Sequence, residues 1–195
     1  MNMEELFKKH GCEKIWHNYS ELYEADFMPM RNDPINILEV GTFRGESINV
    51  WLEYFPNATI YTIDTFGRIP PEDLPMLKDP RVSYAKLDST APECYAHFKK
   101  LGQTFDFIID DGLHTPEAQR LTFENLIEFT NTYYIEDVWD LDNVKMNHPW
   151  IKSHADDFTK DKWNKLLESV GKYTLTKHQW RKMKKQDSCI LKVVK

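Results

Sequence analysis

Two groups of acidic residues in the second half of the chain have the types and spacing of a metal-dependent site. Asp110-Asp111-Gly112-Leu113-His114 follows one apolar run, and Ile135-Glu136-Asp137 ends another. If both runs are parallel strands, their carboxyl ends lie at one edge of the sheet. Asp111, Glu136 and Asp137 could then converge on a hard divalent cation, which prefers oxygen ligands and leaves positions open for water or substrate.

His114 would complete this site as a general base, since an imidazole suits that role and we expect no other histidine near this edge. A substrate hydroxyl bound to the cation would have a lowered pKa. Three close carboxylates without a cation would repel one another, which favours an occupied metal site. The structural alternative is that His114 only makes a hydrogen bond where the next helix begins.

An earlier segment, Ile37-Leu38-Glu39-Val40-Gly41-Thr42-Phe43-Arg44-Gly45, runs from an apolar strand into a glycine turn. It is neither a dinucleotide fingerprint nor a phosphate-binding loop, because its two glycines are four residues apart and no Lys-Ser/Thr pair follows. Such a turn lets backbone approach a ligand closely. Glu39 is placed to accept from a cationic amine, and Asp64 at the end of the next strand from two ribose hydroxyls. An ordinary strand–helix turn is the alternative.

These side chains require strands that end at one edge, and the hydrophobic pattern predicts them. A helical N-terminal region over about 3–30 precedes alternating strands and helices, with strands at 35–41, 59–65, 82–88, 105–110, 133–136, 172–179 and 188–194. We therefore predict an α/β fold with a Rossmann-like, doubly wound, seven-stranded sheet. Six strands are parallel, one is antiparallel, and the last two form an antiparallel hairpin across a charged turn. One domain would span 1–195, with 1–30 as a helical cover and 35–195 as the core, and the polar, aromatic segment 140–160 as an irregular or helical cover.

Three short segments resemble successive motifs of the class I S-adenosylmethionine-dependent methyltransferases: Ile37–Gly41, Tyr61–Asp64 and Leu87-Asp88. The resemblance implies that Glu39 and the turn hold the methionine part of the cofactor, that Asp64 holds the ribose, and that Asp88 lies by the adenine. The full set of implied cofactor contacts is Glu39, Gly41, Thr42, Phe43, Gly45, Ser47, Asp64, Asp88 and Asp110. Asp110 could equally cap the strand–helix turn.

The later acidic pair of motifs resembles the metal-dependent sugar O-methyltransferases of macrolide biosynthesis, the mycinamicin type. The resemblance implies that Asp111, Glu136 and Asp137 bind Mg²⁺ (or Mn²⁺) and that His114 takes the hydroxyl proton, so that His114 and Asp111 are the catalytic pair. The N-terminal stretch is also similar to the opening of that family, in the segments Gly11–Lys14, His17–Tyr19 and Leu22-Tyr23, with Glu-Lys where Asp-Lys is usual. By spacing alone, Tyr19 and Tyr23 are packing residues.

Composition narrows the function classes. The chain has 195 residues and a net charge of −6, and this acidic balance argues against a nucleic-acid enzyme. No apolar run approaches the roughly 18 residues that span a bilayer, so no membrane partner is expected. The start of the chain lacks the order of a signal peptide, and three cysteines without a paired spacing indicate no disulfide framework. We expect a cytoplasmic enzyme. A homo-oligomer is possible, because aromatic residues near the N-terminus would suit self-association if they are exposed.

The expected function is a Mg²⁺-dependent O-methyltransferase that uses S-adenosylmethionine and acts on a sugar hydroxyl of a glycan or glycosylated metabolite. One alternative is methylation of a phenol or another small molecule, or a cephalosporin-hydroxylase-like enzyme of the same fold. A second alternative is a non-catalytic module that only binds S-adenosylmethionine. Intact Asp111, His114, Glu136 and Asp137 argue against that module.

Overall fold

The structure, a computed structural model, describes residues 1–139, 148–179 and 188–195. Seven helices lie in these ranges: α1 (Met3–His10), α2 (Ser20–Phe27), α3 (Glu46–Tyr54), α4 (Pro92–Leu101), α5 (Pro116–Leu126), α6 (Pro149–Ser153) and α7 (Lys160–Val170). The strands are β1 (Asn36–Val40), β2 (Thr59–Asp64), β3 (Val82–Lys86), β4 (Phe107–Asp110), β5 (Thr132–Ile135), β6 (Thr174–Gln179) and β7 (Cys189–Val194). Positions 140–147 of the predicted cover and 180–187 of the predicted charged turn lie outside the described residues.

All seven strands form one sheet in the order β3-β2-β1-β4-β5-β7-β6. The first five are parallel neighbours, and β7 pairs antiparallel with both β5 and β6. Six strands therefore share a direction and one opposes them, which confirms the predicted α/β fold with its C-terminal hairpin. The predicted fourth strand is shorter than expected, because Phe105 makes only an isolated bridge to Thr130 before β4 begins.

Alternate residues of each strand enter two apolar layers, one on either face of the sheet. Ile37 and Phe107 pack with α1, α2 and α3, whereas Leu38 and Ile108 pack with α4, α5 and α7. This alternation follows from the two-residue period of a strand. The helices on both faces confirm the doubly wound arrangement. Within the described ranges, no helix is long and apolar enough to cross a bilayer.

The N-terminal helices are built into the first of these layers. Phe27 of α2 stacks on Phe107 of β4 with ring centroids 4.3 Å apart, and it also stacks on Tyr23 at 4.9 Å. Tyr23 contacts Trp51 of α3 edge-on at 5.7 Å. The N-terminal region contains α1 and α2, and aromatic packing anchors α2 on β4 and α3.

Candidate active site

The glycine turn after β1 lies against the end of β4, and glycine is required there by space as well as by conformation. Gly41 has φ +90°, which disfavours any L side chain, and a Cβ at this position would stand 2.0 Å from the backbone oxygen of Asp111. The carboxylate of Asp64 fastens the same turn. Its Oδ2 accepts from the backbone N–H groups of Thr42 at 2.9 Å and Phe43 at 3.1 Å.

Glu39 lies fully buried beneath this turn. Its Oε2 accepts from Ser47 Oγ at 2.9 Å and from the indole Nε1–H of Trp51 at 3.0 Å. Its Oε1 makes no hydrogen bond within the described residues and lies 3.5 Å from the ammonium of Lys14. Burial raises the pKa of Glu39 to about 7, against the opposing effect of Lys14. Because Oε1 is buried and accepts no hydrogen bond from the described residues, it could accept from an additional cationic group, such as the amine expected from the sequence.

At the ends of β4 and β5, Asp111, His114 and Asp137 come together. His114 Nε2 lies 3.0 Å from Asp111 Oδ1, and His114 Nδ1 lies 3.3 Å from Asp137 Oδ2. One ligand atom from each residue can be chosen so that all three lie within 4.8 Å of one another. The carboxylate oxygens of this compact group fit a hard divalent cation such as Mg²⁺ or Mn²⁺. Burial alone would lower the pKa of His114, but Asp137 and Asp111 raise it to about 10.

A lysine from the N-terminal region enters the same cluster. Lys14 is 4% exposed, and its Nζ lies 2.5 Å from Asp111 Oδ2 and 2.5 Å from Glu136 Oε2. Burial would lower its pKa, but Asp111, Glu136 and Glu39 together raise it well above the usual value. An ammonium therefore relieves part of the expected repulsion among the carboxylates, so this repulsion alone does not require an occupied metal site.

Glu136 occupies a different environment from the one its sequence position suggests. It is 1% exposed, and its two oxygens bind Lys14 and the hydroxyl of Tyr23. Burial raises the pKa of Glu136 to about 8, although Lys14 opposes this. Among the described residues, Glu136 is not in the compact group of possible ligands, and His114 is. The predicted ligand set of Asp111, Glu136 and Asp137 stays a prediction.

Asp137 is held by the N-terminal region as well. Its Oδ1 accepts from the hydroxyl of Tyr19 at 2.6 Å and lies 3.4 Å from Nδ1 of His17, and its backbone N–H donates to Tyr19 at 3.1 Å. Asp137 has φ +52°, a conformation that is rare for a residue with a side chain. Two expectations were thus wrong: His114 is not the only histidine near this edge, and Tyr19 does more than pack. The same correction applies to Tyr23.

A cavity of about 580 Å³ opens beside these groups. Most of the predicted site residues line it: Gly41, Thr42, Phe43, Ser47, Asp64, Asp88, Asp111, His114, Glu136 and Asp137. Glu39, Gly45 and Asp110 are not among the lining residues. Asp110 is 2% exposed and accepts from the backbone N–H of Gly112 at 3.3 Å, so its observed contact is with the turn. Asp88 uses Oδ1 to bind both the backbone and the hydroxyl of Thr90.

The residues that sequence reasoning missed all come from 14–23. The contacts join four side chains, Lys14, His17, Tyr19 and Tyr23, to the acidic edge, by which we mean Asp111, Glu136 and Asp137 at the ends of β4 and β5. The partners are about 100 residues apart in sequence or more. No local pattern indicates a contact of that span. The available signal was the similarity of this stretch to a family's opening segment, which preserved Lys14 and both tyrosines without assigning them a role.

Sequence comparison finds relatives that are named as O-methyltransferases. No protein-family model matches the chain. A tetracenomycin rhamnosyl 3'-O-methyltransferase of Streptomyces olivaceus is 28% identical over 148 residues, covering 69% of this chain and 36% of its own length. The mycinamicin VI 2''-O-methyltransferase of Micromonospora griseorubida is 26% identical over 133 residues, covering 63% and 32%. The chain thus spans about a third of the length of the curated relatives it matches.

Solved structures extend the match to the whole chain. The methyltransferase MycE of the mycinamycin pathway, crystallised with Mg and SAH, superposes with a TM-score of 0.72 at 19% identity, covering 100% of this chain and 54% of MycE. The chain therefore has the fold of the class I S-adenosylmethionine-dependent methyltransferases, and the two sequence relatives described above are named as O-methyltransferases.

Proposed function

We propose that this chain transfers a methyl group from S-adenosylmethionine to a sugar hydroxyl of a glycan or glycosylated metabolite, with the help of Mg²⁺ or Mn²⁺. The observation that carries the proposal is the meeting of Asp111, His114 and Asp137 on the wall of the cavity that Gly41 and Asp64 also line. Possible metal ligands, a candidate base and a methyltransferase cofactor turn thus share one space. The similarity to sugar O-methyltransferases supports the choice of acceptor.

The cofactor would lie along the turn after β1. Asp64 uses its two oxygens to hold backbone N–H groups, yet it still lines the cavity, and a carboxylate has lone pairs left to accept from ribose hydroxyls. Asp88 lines the same cavity and would lie by the adenine. Glu39 would accept from the amine of the cofactor's methionine part through its buried Oε1. Hydrogen bonds from Ser47 and Trp51 to Oε2 fix the orientation of this carboxylate.

In the reaction, the acceptor oxygen bonds to the methyl carbon, the carbon–sulfur bond breaks, and its electron pair stays on sulfur. When bound, S-adenosylmethionine supplies the electrophilic methyl group, and the cation lowers the pKa of the acceptor hydroxyl. Asp111 and Asp137 would hold the cation, and His114 would take the hydroxyl proton. Without a metal ion, Asp137 and Asp111 raise the pKa of His114. A divalent cation bound to these two carboxylates would offset their effect, so that His114 could lose its proton and act as a base. Holding both reactants in line accounts for a large part of the rate.

The test is a methyl-transfer assay with S-adenosylmethionine, comparing glycosylated acceptors with free phenols, in Mg²⁺ and in EDTA. We expect transfer to sugar hydroxyls only with the metal. His114→Gln should lower kcat by roughly 10²–10⁴-fold while binding of S-adenosylhomocysteine is preserved. His10→Gln is the matched control, because His10 contacts Glu53 away from the cavity. Transfer to phenols alone, or cofactor binding without transfer to any acceptor, would overturn the proposal.

A further inference from the structure

Lys14 is a buried cation with three carboxylate neighbours that lie far apart in sequence. It belongs to a 3₁₀ turn, Glu13–Ile15, that follows α1, and only 4% of its surface is exposed. Its Nζ contacts Asp111 and Glu136 at 2.5 Å each and lies 3.5 Å from Glu39 Oε1. A lysine is almost never this buried unless it is paired, so the position is built around these carboxylates.

The contacts divide the oxygens of Asp111 between two partners. Oδ2 binds Lys14, whereas Oδ1 faces His114 at 3.0 Å. One oxygen is thus fixed from the protein interior, and the other is turned towards the group of possible metal ligands. Lys14 does not bind Asp137, whose Oδ1 is held by Tyr19. The ammonium and His114 therefore contact different oxygens of Asp111.

Resting on the proposed function for the location of the cation, we propose that Lys14 is a positioning residue of the metal site. It supplies the charge that lets Glu39, Asp111 and Glu136 stand together before a divalent cation binds, and it aims Asp111 Oδ1 at the cation position. Lys14 also connects the buried carboxylate beneath the cofactor turn to the carboxylates at the ends of β4 and β5. Lys14 therefore holds the acidic cluster together when no metal is bound, while its own positive charge opposes a divalent cation nearby.

Two effects of removing Lys14 distinguish this role from simple packing: the protein should become less stable without metal, and its affinity for the metal should rise. Without the ammonium, the carboxylates of Asp111 and Glu136 lose their shared buried cation, which destabilises the protein when no metal is present. A divalent cation that binds beside Asp111 is then no longer repelled by the ammonium, because two unit charges a few ångströms apart interact substantially even at an effective dielectric constant near 20. A merely structural lysine would lower stability without increasing the affinity for the metal.

The experiment compares wild type with Lys14→Met, using Mn²⁺ alone as the probe, in calorimetry and in thermal unfolding with and without the metal. We expect Lys14→Met to unfold roughly 6–20 °C lower without metal, to recover most of this loss in Mn²⁺, and to bind Mn²⁺ on the order of tenfold or more tightly than wild type. Lys8→Met is the matched control, because Lys8 makes an exposed ion pair with Glu4 and should change neither quantity.

A wild-type melting temperature without metal, or Mn²⁺ binding no tighter than in wild type, would overturn the proposal. If Lys14→Met does not fold, the double variant Lys14→Met/Glu136→Gln decides, because it removes the ammonium together with one partner charge. It should fold and melt closer to wild type than the single variant; failure of both to fold would also reject the role. No acceptor or methyl transfer enters these measurements, so a failure of the proposed sugar methylation would be seen separately.

Discussion

Gly41→Ala tests whether the glycine turn after β1 sets the position of Asp111, a proposed ligand of the metal. The added Cβ would meet the backbone oxygen of Asp111 at 2.0 Å, and no side-chain rotation can relieve a clash with backbone. A left-handed conformation costs a non-glycine residue about 1–2 kcal/mol, and overpacking a tight contact costs about 1–3 kcal/mol more. We therefore expect a loss of about 2–5 kcal/mol in the free energy of unfolding.

The clash can be separated from the conformational cost with a second glycine. Gly102 ends α4 at φ +63°, and a Cβ there would meet nothing within 4 Å. Gly102→Ala should therefore carry only the conformational cost of about 1–2 kcal/mol. In thermal unfolding, these losses correspond to roughly 4–20 °C for Gly41→Ala and about 2–8 °C for Gly102→Ala.

The clash must also move either the turn or Asp111, so the two variants should differ in ligand binding. We expect Gly41→Ala to bind Mn²⁺ and S-adenosylhomocysteine more weakly than wild type in calorimetry, and Gly102→Ala to bind both normally. Equal melting temperatures for the two variants, or wild-type Mn²⁺ affinity in Gly41→Ala, would refute the inference that contact between the turn and the end of β4 positions Asp111.

Two further predictions concern buried polar groups. Trp51→Phe removes the indole donor to Glu39 at 3.0 Å and should lower the free energy of unfolding by about 1–3 kcal/mol in urea titrations; an unchanged midpoint would mean that Ser47 alone satisfies that oxygen. Burial raises the pKa of Cys12 and of Cys94 to about 12, so at about pH 8 neither should react with a disulfide reagent until the protein unfolds. Rapid reaction of the native protein would contradict their burial.

Hydrophobic periodicity was enough to predict the sheet, because each strand and helix carries its own pattern. The predicted helical stripe is Ile48, Trp51, Leu52 and Phe55. Ile48, Trp51 and Phe55 are buried, and Leu52 is half-buried against the same apolar layer. The acids at the ends of β4 and β5 could also be predicted to lie side by side, since parallel neighbours end at one edge; the backbone N–H of Glu136 in fact donates to the oxygen of Asp110. Local pattern and regular topology therefore determined what could be predicted.

Contacts of the N-terminal region with that edge could not be predicted in this way. Lys14 follows α1 and Tyr19 precedes α2, and no periodicity relates either residue to Asp111 or Asp137. Their positions depend on how the two helices dock on the sheet, which is a matter of three-dimensional packing. The ligand set could not be predicted for the same reason: Lys14 and Tyr23 bind Glu136, and the compact group of possible ligands among the described residues contains His114 instead.

Because α1 and α2 dock on the sheet in this way, single side chains contact both the hydrophobic core and the carboxylates of the candidate active site. The ring of Tyr23 stacks on Phe27 in the core, while its hydroxyl binds Glu136 at the acidic edge. Because a core packed at native density transmits small displacements, a change at Phe27 or Phe107 would shift the partners of the carboxylates. The region predicted as a cover thus belongs to the candidate active site. Substitutions in its apolar face should therefore change metal affinity as well as stability, whereas substitutions on the exposed face of α1 should change neither.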